Sequence, residues 1–134
     1  MRWFDKRNLI SFLGSLIVAL ASPAFAEPAA TLIFFDSGKP VITRDAEDVL
    51  DEAIKAGSAQ SRWTIIGFAD RSGPESANNR MALARAQATM RYLVEHGIPA
   101  QSIEVHSKGE SGPVIPTADG VREPQNRRVE IQVR

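Results

Sequence analysis

Three residues of this chain have the types and spacing to hold a small zwitterion. Asp70 ends an apolar stretch, Trp63-Thr-Ile-Ile-Gly-Phe-Ala69, and stands just before a helix-opening pattern. Arg85 lies 15 residues further on, inside that helix. Asp36 ends an earlier apolar run, Thr31-Leu-Ile-Phe-Phe35. Acids at strand ends beside helix starts are functional positions in α/β sheets, because loops and helix N-termini converge there. An Asp takes an ammonium, and the planar fork of an Arg takes a carboxylate. The plainer alternative for Asp70 and Arg85 is a structural ion pair. A second alternative is a carboxylate pair, Asp36 with Asp70, of the kind that hydrolyses glycans. That chemistry needs one acid with a raised pKa, and nearby arginines oppose this.

Other chemistries have less support. The chain has 134 residues and no cysteine, which removes thiol nucleophiles, disulfides and Cys-ligated metals. His96 and His106 lack a partner at metal-ligand spacing, so no metal and no cofactor is expected. Ser72 and Ser111 have no nucleophile-elbow setting. The charges balance at 16 basic and 16 acidic residues, unlike the basic excess of nucleic-acid binders. Phe34, Phe35, Trp63 and Phe68 read as core rather than as a stacking platform. Arg122, Arg128 and Arg134 read as a solvated sheet edge.

The elements that must position these residues alternate along the chain. Residues 1–26 combine Arg2, Lys6 and Arg7 with an uncharged run over 9–20 and an Ala24-Phe-Ala26 ending. This pattern predicts a secretory signal peptide cleaved after Ala26. An uncleaved anchor is the alternative, although 12 apolar residues fall short of the ~20 that a span needs. Losing three basic and one acidic residue leaves 27–134 with a net charge of −2. Residues 27–30 are a short linker, and 31–134 are one domain with no stable membrane span.

Within that domain, Thr31–Phe35 is the first strand. Thr43 caps a helix with Asp45 and Glu47 in its first turn and Ala46, Val49, Leu50, Ala53 and Ile54 on one face. Gly57 ends it. Trp63–Ala69 reads as a central strand. Ser72-Gly-Pro-Glu75 reads as a capping box opening a long helix to His96. Ala82, Ala86, Met90 and Leu93 form its buried stripe, with Arg80, Arg85 and Arg91 off it. Ile103 and Val105 mark a third strand, 107–125 a loop, and Val129, Ile131 and Val133 a half-exposed last strand. The order β-α-β-α-β-β predicts an α/β two-layer sandwich: one mixed sheet with the helices on one face.

Gly67-Phe-Ala-Asp70-Arg-Ser-Gly73, Asn78, Met81-Ala-Leu-Ala-Arg85-Ala-Gln87, Gly109-Glu-Ser-Gly-Pro113 and Asn126-Arg-Arg-Val-Glu130 resemble the OmpA-like peptidoglycan-binding domain. Phe34-Phe-Asp36 is similar to its opening strand. The resemblance spans about residues 31–133, and several motifs in the right order on the expected elements make it specific. It implies non-enzymatic, non-covalent binding of the diaminopimelate in peptidoglycan stem peptides, in the periplasm and against the cell wall. Residue by residue it implies Asp70 for the ammonium and Arg85 for the carboxylate, with Asn78, Asp36 and Arg127 bordering the pocket. An interaction adaptor for an envelope protein, built on the same fold with a vestigial pocket, is the alternative. The sequence departs from the family pattern at Ala69, where a Thr is usual, and at Met81-Ala82, where Leu-Ser is usual. The chain reads as a free-standing module.

Overall fold

The computed structural model describes residues 29–134. The signal-peptide reading, with its cleavage point after Ala26, therefore lies outside the described residues. Four strands and two long helices follow in the expected order: β1 Thr31–Phe34, α1 Arg44–Ala56, β2 Trp63–Phe68, α2 Glu75–Glu95, β3 Ile103–Gly109 and β4 Arg128–Val133. The sheet order is β1-β4-β2-β3. β4 runs antiparallel to both β1 and β2, and β2 runs parallel to β3. The sheet is mixed and the helices pack on one face, as the alternation of elements predicts.

Patterning explains the packing. Ile33, Ile65, Val129 and Ile131 alternate towards the helices and are 0–1% exposed. With Trp63, Ala46, Leu50, Ala86 and Leu93 they form one core. The last strand is an inner one, inserted between β1 and β2, so Val129 and Ile131 on its apolar face are fully covered and Val133 is half-buried.

Local chemistry sets the helix ends. Thr43 caps α1, its Oγ1 accepting from the Ala46 N–H at 3.2 Å. Gly57 closes α1 by donating to Ala53 and Ile54. α2 departs from expectation: the capping box does not form. Pro74 is the N-cap and supplies no side-chain bond. Ser72 turns instead to Asp70. β3 is also longer than expected, because its parallel pairing with β2 continues past an irregularity to Gly109.

One glycine decides how closely α2 lies on the sheet. A Cβ at Gly67 would run into the backbone carbonyl of Ala82. Without it, α2 settles directly on β2, which brings Arg85 over the end of that strand.

Candidate functional site

The site lies where the C-terminal end of β2 meets α2 and the loop that leads into β4. A cavity of ≈ 220 Å³ opens there, lined among others by Asp70, Ser72, Asn78, Met81, Arg85 and Arg122. A larger concavity of ≈ 650 Å³ runs beside β1 and the start of α1, past Phe34, Asp36, Val49 and Arg127. Volume favours the second and converging charge favours the first. Charge is the better guide, since a few convergent polar groups set orientation and specificity.

Asp70 is 4% exposed and its carboxylate is crowded with donors. Oδ1 accepts from the Ser72 hydroxyl at 2.7 Å and the Ser72 N–H at 3.3 Å. Oδ2 accepts from the Glu123 N–H at 3.1 Å and from Arg127 Nη1 at 3.3 Å. Burial alone would raise this pKa. The Ser72 hydroxyl, the two backbone N–H groups and the Arg127 guanidinium outweigh burial and hold it below 3.8. Asp70 is thus an anion at neutral pH, unsuited to be a general acid.

Arg85 is 1% exposed, contrary to its expected place off the buried stripe. Asn78, Ala82, Arg85 and Thr89 recur at steps of four, three and four, which is a second buried line on the same helix. Arg85 donates to three carbonyls: Lys39 at 3.3 Å, Phe68 at 3.4 Å and Asp36 at 3.1 Å. It forms no ion pair with Asp70 among the described residues; the pair that forms is Asp70–Arg127. Desolvation lowers the Arg85 pKa to about 10, with Asp70 opposing that shift and Arg127 adding to it. Arg85 therefore stays charged at neutral pH, with N–H groups left over after three carbonyl bonds.

The remaining expected residues divide. Asn78 borders the cavity, but its amide is engaged: Nδ2 donates to the Gly73 carbonyl at 2.8 Å and to Glu110 at 2.7 Å. It holds the 70–73 turn in place. Arg127 reaches Asp70 and also donates to the Phe35 carbonyl at 3.0 Å, and it lines the larger concavity. Asp36 does not join Asp70: it is exposed, lines the other concavity, and gives Arg85 only its backbone carbonyl. The two acids line different concavities.

Three residues have places here that the sequence did not assign them. Ser72 serves the carboxylate instead of the helix. Glu110 holds Asn78. Arg122 lines the cavity. The Asp70-x-Ser72 spacing, which suits an Asx turn, was the available signal for the first. Arg128 is another correction: it is 3% exposed, stacks 3.8 Å over the Phe68 ring and donates to Glu130 and to the Gly112 carbonyl. It pins the long loop to the sheet instead of lying solvated at its edge.

The arrangement brings an anion and a cation to one cavity. Among the described residues no group of three His, Cys, Asp or Glu gathers as a metal site. No described helix is long and apolar enough to cross a membrane.

The OmpA family profile matches residues 34–127, which takes in both strand ends and the whole cavity. The chain belongs to the OmpA family. Its relatives include the outer membrane protein of Gluconacetobacter diazotrophicus, 38% identical over 113 residues, 78% of this chain and 30% of that protein. Outer membrane protein A of Klebsiella pneumoniae is 33% identical over 119 residues, covering 76% and 33%. The chain thus spans about a third of the length of these curated relatives. Among solved structures, the peptidoglycan-associated lipoprotein from Burkholderia pseudomallei superposes with a TM-score of 0.69 at 23% identity, covering 78% of this chain and 90% of that one. The C-terminal domain of Helicobacter pylori MotB gives 0.65 at 19%, covering 79% and 84%. At these identities the likeness is one of fold, and the OmpA fold is shared throughout.

Proposed function

We propose that this chain is a non-enzymatic periplasmic module that binds diaminopimelate-containing peptidoglycan. The carrying observation is that Asp70 and Arg85, opposite charges from β2 and α2, line one small cavity. Asp70 faces the ligand ammonium and Arg85 its carboxylate. Diaminopimelate carries a second amino-carboxylate centre that a lysine stem lacks, and a site with a buried guanidinium disfavours a ligand that leaves it unmatched. Asn78 and Arg127 act by positioning: one holds the turn, the other holds Asp70. The name of the Burkholderia relative, a peptidoglycan-associated lipoprotein, supports this reading, as does family membership.

One observation favours a second reading, an adaptor whose pocket is vestigial. The Asp70 carboxylate already accepts four hydrogen bonds from the protein, so an ammonium must displace a donor, with the Ser72 hydroxyl the most easily turned away. Exposed Phe34, Leu32 and Val49 would then offer a protein-facing surface.

Co-sedimentation with purified sacculi separates the two. The wild type is expected to pellet with diaminopimelate-type sacculi and not with lysine-type sacculi. Asp70→Asn and Arg85→Lys, which keep shape and charge respectively, should each weaken binding about tenfold or more while the fold persists. A well-folded wild type that fails to pellet would leave the adaptor reading.

A further inference from the structure

Arg122 has no role in the binding scheme above, yet it lines the same cavity as Asp70 and Arg85. Its placement is not left to loop chance. The next residue, Glu123, donates its N–H to Asp70 Oδ2 at 3.1 Å, and Gly120 donates to the Arg71 carbonyl at 2.6 Å. The segment between them is therefore stitched to the turn that carries Asp70. The Arg122 side chain has no hydrogen-bond or ion-pair partner among the described residues. Its neighbours differ: Arg71 pairs with Glu110 and Asp119, and Arg127 with Asp70.

The charge count of the cavity then becomes specific. Asp70 is already compensated by Arg127. Two guanidiniums, those of Arg85 and Arg122, are left without an acidic partner within ion-pair distance. A ligand with one carboxylate and one ammonium leaves one of them unmatched, whereas a ligand with two carboxylates and one ammonium matches both and still offers Asp70 its cation. A stem peptide that ends in diaminopimelate has that inventory, because its last residue keeps a free carboxylate at each of its two centres. In a stem that continues by another residue, one of those carboxylates becomes an amide and the terminal charge moves a residue further out.

Resting on the reading of Asp70 and Arg85 above, we propose that Arg122 receives the second carboxylate of the ligand, so that this chain prefers stem peptides terminating in diaminopimelate. Arg122 is a specificity residue at the mouth of the cavity. Because it is exposed, its contribution is moderate, about fivefold in affinity, and falls with salt.

The test is calorimetric titration of the full chain with two soluble muropeptides. One is a tripeptide stem ending in meso-diaminopimelate. The other is the same stem with the terminal carboxylate amidated. Both are titrated into the wild type and Arg122→Ala; since Arg122 has no partner in the fold, the variant should keep the wild-type melting temperature. The wild type should bind the free acid about fivefold more tightly than the amide, and Arg122→Ala should bind both with the wild type's affinity for the amide. Equal binding of the two stems by the wild type, or an undiminished preference in Arg122→Ala, overturns the role of Arg122 and leaves Asp70 and Arg85 standing. No binding of either stem by the wild type overturns both proposals together.

Discussion

Asp70 and Ser72 illustrate how a two-residue spacing can be spent in different ways. A Ser three residues before a Glu suits a capping box, yet the same Ser two residues after an Asp suits an Asx turn. The turn wins here because Asp70 is nearly buried and needs donors, while the helix start at Glu75 is served by Pro74 without them. The consequence is a measurable pH dependence. The Asp70 pKa is lower in the fold than in the unfolded chain, so its bonds stabilise fully above the unfolded value near ~4 and are lost as pH falls through the folded one. Ser72→Ala removes the strongest of those donors. Its Asp70 pKa should rise, read by NMR titration of the carboxyl carbon, and its acid unfolding should begin at higher pH. Asp70→Asn should lack this part of the acid transition altogether.

At the scale of elements, two local features seat the helices, and only the second sets the geometry of the site. α1 is started by a side-chain cap at Thr43, and α2 is seated by the absence of a side chain at Gly67. Their removal should differ in size and in kind. Thr43→Ala loses one cap and should cost about 1 kcal/mol in urea unfolding. Gly67→Ala forces a methyl group against the Ala82 carbonyl, so β2 and α2 must part; we expect a loss of about 3 kcal/mol. Because Arg85 rides on α2 above the end of β2, Gly67→Ala should also weaken sacculus binding, whereas Thr43→Ala should leave it unchanged. A Gly67→Ala protein of wild-type stability would contradict the close approach.

For the molecule as a whole, a single core joins both helices to three strands. Leu50, from α1, is 0% exposed within it. Leu50→Ala should cost about 3 kcal/mol. Since the core is not divided, the loss should appear as one shifted transition, equal by far-UV circular dichroism and by Trp63 fluorescence. Tyr92 adds a polar tie between the helices, donating its hydroxyl to Asp51 at 2.6 Å while its ring stacks on His96. That bond pushes the Tyr92 pKa up to about 12, so the tie holds across the physiological range.

The elements, their order and the Thr43 cap were legible from residue periods and short-range chemistry, because helix, strand and cap depend on neighbours within a few positions. So were Asp70 and Arg85 as a pair of interest, through motifs carried on those elements. The tertiary structure decided what the side chains do. Asp36 and Asp70 end similar strands, but the insertion of β4 between β1 and β2 sends them to different cavities. Arg85 and Arg128 look like surface arginines by composition and become buried ones, since carbonyls from Lys39, Phe68 and Gly112 reach them from distant parts of the chain. Arg122 enters the site only because the 120–123 segment is bonded across to the turn at Asp70. Each of these outcomes rests on partners 16 or more positions away, and no local period encodes such a partner.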